Sequence, residues 1–182
     1  MPLSSLYVKI RFVTTQPALE DEVDRLVADW RRERPDVDTS PLEVLSRVTR
    51  LSRHLDRERR DAFAGHQLEQ WSFDVLAALR RAGAPYALAP GTLLRRTLVS
   101  SGAMTNRLDR LETAGLVQRR PDRADRRGVV VRLTAAGKRR LDACLSDLVR
   151  RESELLAGLS ATERTVLADL LRKLLVGRDV PD

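Results

Sequence analysis

The chain has 182 residues, of which 42% are hydrophobic and 32% charged, with a net charge of +7 and one cysteine, Cys144. That composition fits a single substantial globular domain and excludes an intrinsically disordered chain or an internal disulfide. No apolar run approaches the roughly 20 residues of a helical membrane span, and "MPLSSLYVKIRFV" lacks the pattern of a signal peptide, so a cytoplasmic protein is expected.

Residues 1–16 form a tail to which the sequence assigns no role. "PALEDEVDRLVADWRRERP" (17–35) predicts a helix, with proline in its first turn, acids at its start and arginines at its end. Leu19, Val23, Leu26, Val27 and Trp30 make one apolar stripe along it. "SPLE" (40–43) reads as a capping box opening a long helix through Val44, Val48, Leu51 and Leu55 to Phe63, ended by Gly65. A third helix is predicted over 70–81, with Gly83 as its stop. After a loop, Pro90 opens a short helix, "PGTLLRRTL"; "VSSG" makes a turn, and a further helix runs over 103–115.

"VQRR" and "VVVRL" then alternate as the two strands of a hairpin, joined by a seven-residue loop from Pro121 to Arg127. Thr134 caps a long helix to about Ala157. "SATE" (160–163) is a second capping box and starts a last helix through Val166, Leu170, Leu171, Leu174 and Leu175.

Charge is not spread evenly along these elements. Residues 95–140 hold 13 arginines or lysines against 4 acids, a surplus of nine in a chain whose net charge is seven. Such clustering suits a surface that faces a polyanion. The order of short helix, turn, longer helix and basic hairpin is that of a winged helix-turn-helix, in a chain that is mainly α with a small β-hairpin. On a helical wheel Met104, Leu108 and Leu111 define the buried side of the longer helix. Asn106 lies about 167° from that side and Arg107 only about 67° from it. The outer face is small and polar, as a helix entering a major groove requires, although a plain solvated face has the same look. Ser101, Thr105, Asn106 and Arg110 are the candidate DNA contacts on this helix. Arg123, Arg126 and Arg127 are the candidates in the loop, where crowded guanidinium becomes favourable opposite phosphate.

"SSGAMTNRLDRLETAGLVQRRPDRADRRGVVVRLTAAG" (100–137) resembles the recognition helix and wing of the MarR family of bacterial transcription regulators, and the resemblance extends over residues 40–177. It implies a homodimer reading a pseudo-palindrome in double-stranded DNA, within a family domain spanning 36–178. The DNA-binding lobe would lie at about 70–133 and the dimerisation helices at about 40–64 and 134–177. The extra helix at 17–35, with "DW" and "FDVL", resembles the urate-responsive (HucR/PecS/TamR-like) subgroup. In that subgroup a tryptophan, an aspartate and two arginines hold a small anion. The matching positions are Trp30, Asp74, Arg107 and Arg119. The resemblance implies an anionic effector, urate or a purine first and an aconitate- or citrate-like acid second, with no other cofactor.

Three other readings stand beside this one. An enzyme is disfavoured because His54 and His66 belong to no metal-ligand or nucleophile–base pattern. A thiol-responsive regulator would depend on Cys144. A non-specific or effector-independent DNA binder at the nucleoid would need none of the four anion-site residues.

Overall fold

The computed structural model describes residues 20–97, 101–122 and 128–176, which fall into two compact units, one running to Ser52 and the other starting at Arg53. The expected tail at 1–16, Pro17 and the wing residues Arg123, Arg126 and Arg127 lie outside the described residues. No described helix is long and apolar enough to cross a membrane.

The first unit holds α1 (Glu22–Glu33) and the opening half of α2 (Ser40–Gly65). Asp21 starts α1 by a reciprocal cap: its carboxylate accepts from Val23 N at 2.7 Å, and Asp24 accepts from Asp21 N at 2.8 Å. The same acids lace α1 to α2, since Arg47 donates to Asp21 at 2.8 Å and to Asp24 at 2.7 Å. The Arg47 guanidinium holds the Asp21 carboxyl down to about 2. A depressed carboxyl stabilises the fold above the ordinary aspartate range, and here that contribution is lost as pH falls toward 2.

One local expectation is corrected. Ser40 is not the cap of α2 but its first helical residue, and its N–H and hydroxyl both donate to Asp38. Glu43, the expected partner in that box, pairs with Arg31 of α1. Asp38 wins because an aspartate two residues ahead of the first turn reaches a free N–H readily, which is the geometry of an Asx turn.

The second unit is built around α3 (Gln70–Arg81), which buries Val75, Leu76, Ala77, Ala78 and Leu79. Four other elements pack on it: α4 (Pro90–Thr97), α5 (Ser101–Thr113), β3 (Val129–Leu133) and α6 (Ala135–Leu155). They contribute Leu93, Met104, Leu108, Leu111, Val131, Leu141 and Cys144 to one continuous core. The hairpin is part of a three-stranded antiparallel sheet in the order β1-β3-β2, with β1 at Ala87–Leu88 and β2 at Val117–Pro121. The extra strand is invisible in the sequence, because two residues cannot show alternation. Pairing of Arg119 with Val131 and of Val117 with Leu133 puts those four side chains on the inner face. Pro121 belongs to β2, and Asp122 N donates to Gly128 O at 2.8 Å, so the loop is closed at its base.

The last helix, α7 (Ala161–Leu175), begins at the predicted box: Ser160 and Glu163 cap each other. It buries no residue at all. Val166, Leu170 and Leu174, spaced four apart on one face, stay about half exposed.

Candidate nucleic-acid interface

The helix α5 is held by its apolar side, with Met104, Leu108 and Leu111 each 2% exposed. The opposite side therefore presents Thr105 and Asn106, both exposed. Ser101 is the first residue of the helix. The turn after α5 uses Gly115 at φ +69, a left-handed conformation that places Leu116 back over the helix, where its N–H donates to Leu111 O at 2.9 Å. That reversal delivers the chain directly into β2.

Arg119 is where helix and wing are joined. Its guanidinium donates to Asp109 at 2.6 Å and to Glu112 at 2.6 Å, and its backbone N–H donates to Glu112 at 2.8 Å. These two acids escape a reading of the sequence. The signal is there, as two carboxylates three apart on a helix followed within ten residues by a strand arginine, but so local a pattern has many innocent causes. In this conformation both terminal nitrogens of Arg119 are committed to carboxylates.

Arg107 points toward the protein body, as the wheel predicts, with its guanidinium 5.6 Å from the centre of the Trp71 ring. Arg110 lies over the same ring at 4.8 Å and pairs with Glu69. Cations without such pairing lie elsewhere: Arg96 in the last turn of α4, and Arg132 on the outer face of the sheet, are both exposed, and their side chains make no hydrogen bond or ion pair with any described residue.

Asp74 lies in the second unit at the mouth of a cavity of about 360 Å³ walled by α3, α6 and the end of α2. The floor is apolar, with Phe63, Phe73, Ala77, Leu141 and Leu148, and Phe63 stacks on Phe73 at 4.8 Å. The rim carries Arg59, Arg80 and Arg81. Arg59 donates to Glu152 at 2.9 Å and Arg80 to Asp142 at 3.0 Å. Burial pushes the Asp74 carboxyl up, against the pull of Arg81 first, then Arg107 and Arg59. It makes no hydrogen bond or ion pair with any described residue.

Of the four residues matched to an anion site, then, Asp74 lines the cavity, Arg107 is near enough to act on its charge, and Arg119 is tied into the wing. Trp30 belongs to the first unit and is 49% exposed. The rim arginines carry no sequence signal, because they are far apart in the chain and share no motif.

Cys144 is fully buried against Ala62, and burial, with the charge of Asp147 adding to it, pushes its thiol up to about 11. A thiol raised in this way and shielded by the core is a poor nucleophile at neutral pH, which argues against the thiol-responsive reading. Iodoacetamide should leave the folded protein unlabelled for hours and label it promptly in denaturant. Prompt native labelling, followed by mass spectrometry, would reverse that conclusion.

A family model described as the MarR family matches residues 66–128. The chain is 38% identical over 153 residues to the transcriptional regulator PecS of Dickeya dadantii, covering 84% of this chain and 92% of that protein. Among solved structures, a mutant of MarR from E. coli complexed with operator DNA aligns with a TM-score of 0.60 at 30% identity, over 76% of this chain and 99% of that one. Bordetella bronchiseptica BpsR, described as regulated in its DNA binding by 6-hydroxynicotinic acid, aligns with a TM-score of 0.58 at 26% identity, over 76% and 94%.

Proposed function

The chain belongs to the MarR family, and from that premise we propose that it is a sequence-specific transcriptional repressor, acting as a homodimer on a pseudo-palindromic operator and released by a small anion. The observation that carries the DNA half is the exposed Thr105 and Asn106 face of α5, fixed to the wing strand through Arg119. Asparagine on such a face can pair with adenine in the major groove. Arg123, Arg126 and Arg127, which the sequence puts between the two wing strands, are assigned to the flanking phosphate backbone. Footprinting on the DNA upstream of its own coding region tests this. A protected palindrome that persists at raised salt supports a specific regulator, whereas binding that vanishes with salt identifies a non-specific one. The cytoplasm, on the nucleoid, is the compartment such a regulator works in.

The dimer half rests on apolar side chains left half exposed at helical spacing: Leu145 and Val149 on α6 and Val166, Leu170 and Leu174 on α7. Apolar stripes of this regularity are interface-like, and a second copy of the chain is the partner that symmetry supplies.

The effector half is carried by the cavity at Asp74. A flat floor of phenylalanine and leucine, an unmatched acceptor and a rim of guanidinium groups suit a flat anionic heterocycle with ring N–H groups. The regulation of BpsR by 6-hydroxynicotinic acid favours the same ligand class. Urate and related purines come first, and aconitate- or citrate-like acids second. The bound anion would draw Arg107 toward Asp74 and away from Trp71, tilting α5, so that ligand and DNA weaken each other reciprocally. Arg119 takes part only if it leaves Asp109 and Glu112. Asp74→Asn should abolish the loss of operator affinity caused by urate without lowering the thermal midpoint. The side chain is exposed and makes no hydrogen bond or ion pair with any described residue, so the substitution takes no contact away from the fold. An unaltered urate response in the variant, read by electrophoretic mobility shift, would place the site elsewhere.

A further inference from the structure

Glu69 stands at the N-cap of α3, the place where serine, aspartate or asparagine would serve best, and its side chain makes no capping hydrogen bond. It does something else. Glu69 accepts from Trp71 Nε1 at 2.6 Å and pairs with Arg110 through its other oxygen. Trp71 is packed on the core by its ring and faces two arginines of α5, one turn apart: Arg107 at 5.6 Å and Arg110 at 4.8 Å. Two guanidinium groups on one indole, with a carboxylate closing the ring of contacts, define the rotation of α5 about its own axis more tightly than its apolar side alone. The carboxyl of Glu69 is lowered by the hydrogen bonds from Trp71 and then Arg110, so the closing charge is present at neutral pH.

We propose that Glu69, Trp71 and Arg110 form a positioning clamp that sets the angle of the reading helix, and that Arg110 is held by it instead of contacting DNA. The clamp rests on the DNA-binding reading and goes beyond it, because it removes a guanidinium from the expected set of contacts and gives two residues outside the helix a part in recognition. Paired with Glu69, Arg110 presents little net charge to a polyanion.

This makes an unusual demand on one variant. Removing an acid close to a DNA-binding face ordinarily strengthens binding, because a repulsion is lost. If Glu69 is a positioning residue, Glu69→Gln instead weakens operator binding, by about fivefold to tenfold, while binding to unrelated duplex stays the same or tightens. Arg110→Ala gives a loss of similar size, and the double variant is no worse than either alone, because both break one clamp. The slope of log affinity against log salt separates the roles. If Arg110 neutralised a phosphate, its removal would flatten the slope by about 0.9 per protomer, whereas an opened clamp leaves it unchanged.

The experiment is fluorescence anisotropy of labelled operator and of scrambled duplex across a salt series, with the wild-type protein as reference. A wild type that does not discriminate operator from scrambled DNA refutes the regulator reading itself. A wild type that discriminates, together with a Glu69→Gln variant that binds operator as tightly or more tightly, refutes the clamp alone. So does a flattened slope in Arg110→Ala. Circular dichroism melting on both surface variants shows that the chain is still folded. The indole gives a second readout, since in a Trp30→Phe background Trp71 emission should not change when operator binds. A change would mean that the clamp opens on DNA, which overturns it as a fixed positioning device.

Discussion

Replacing Leu170 and Leu174 together by aspartate is expected to convert the protein to a monomer and to lower operator affinity by at least about a hundredfold. The two leucines are 52% and 50% exposed in the single chain, and α7 buries no residue, so the substitutions remove little from the fold of one subunit. In a dimer the same positions would be covered, and four carboxylates brought together in an apolar seam would each lose hydration without a partner. Loss of the dimer then loses the coupling of two half-site contacts, which is worth roughly two to four orders of magnitude in affinity for linked sites. Light scattering behind gel filtration reads the subunit state, and anisotropy reads the affinity. A double variant that remains dimeric would show that α7 is not in the interface. A wild-type monomer would remove the symmetric-operator reading with it.

The second large effect concerns folding. Gly137 lies in the first turn of α6, where Thr134 caps the helix by accepting from Gly137 N at 2.9 Å. A Cβ added at 137 would stand 2.1 Å from the carbonyl oxygen of Leu116 and 3.0 Å from a methyl of Leu133. That oxygen cannot simply yield. Thr134 N donates to it at 3.1 Å, and the Leu116 N–H is anchored on Leu111, so the turn between reading helix and wing is fixed on both sides. Gly137→Ala should therefore cost about 3 kcal/mol, at the upper end of overpacking penalties. For a chain of this size that lowers the thermal midpoint by roughly 6–12 °C. Gly158→Ala is the control, since a Cβ there meets nothing within 4 Å and should shift the midpoint by no more than about a degree. Equal midpoints for the two variants would mean that the α6 junction is softer than its hydrogen bonds suggest. Because Leu116 leads into β2, the Gly137 variant should also bind operator less tightly at temperatures well below its midpoint.

Much of this is legible in the amino-acid order. The helices over 40–65, 70–81 and 135–155 follow from apolar spacing, glycine stops and the Thr134 cap. The Ser160–Glu163 box is plain because both halves of it lie within four residues. The apparent box at Ser40 misleads for a related reason: Asp38, just upstream, offers the same free N–H an earlier acceptor, and Arg31 takes Glu43. The orientation of Arg107 comes from the helical wheel alone. Its partner does not, because nothing in "QWSF" announces that Trp71 will face the fifth helix.

Neighbouring residues were enough to define the kind of protein this is: the succession of helices and strands, the basic hairpin, the small polar face of α5 and the membership of its family. These are properties of period, cap and local charge, all encoded over short stretches of chain. Which charges are spoken for was settled by packing instead. Arg119 is bound to Asp109 and Glu112, Arg110 to Glu69, and Arg59 to Glu152, while the Asp74 carboxylate, at the mouth of a cavity, has no hydrogen bond from any described residue. The reason is geometric. A long, flexible guanidinium reaches whichever carboxylate the packed backbone brings near it, and that choice depends on which elements the core sets side by side rather than on their order along the chain.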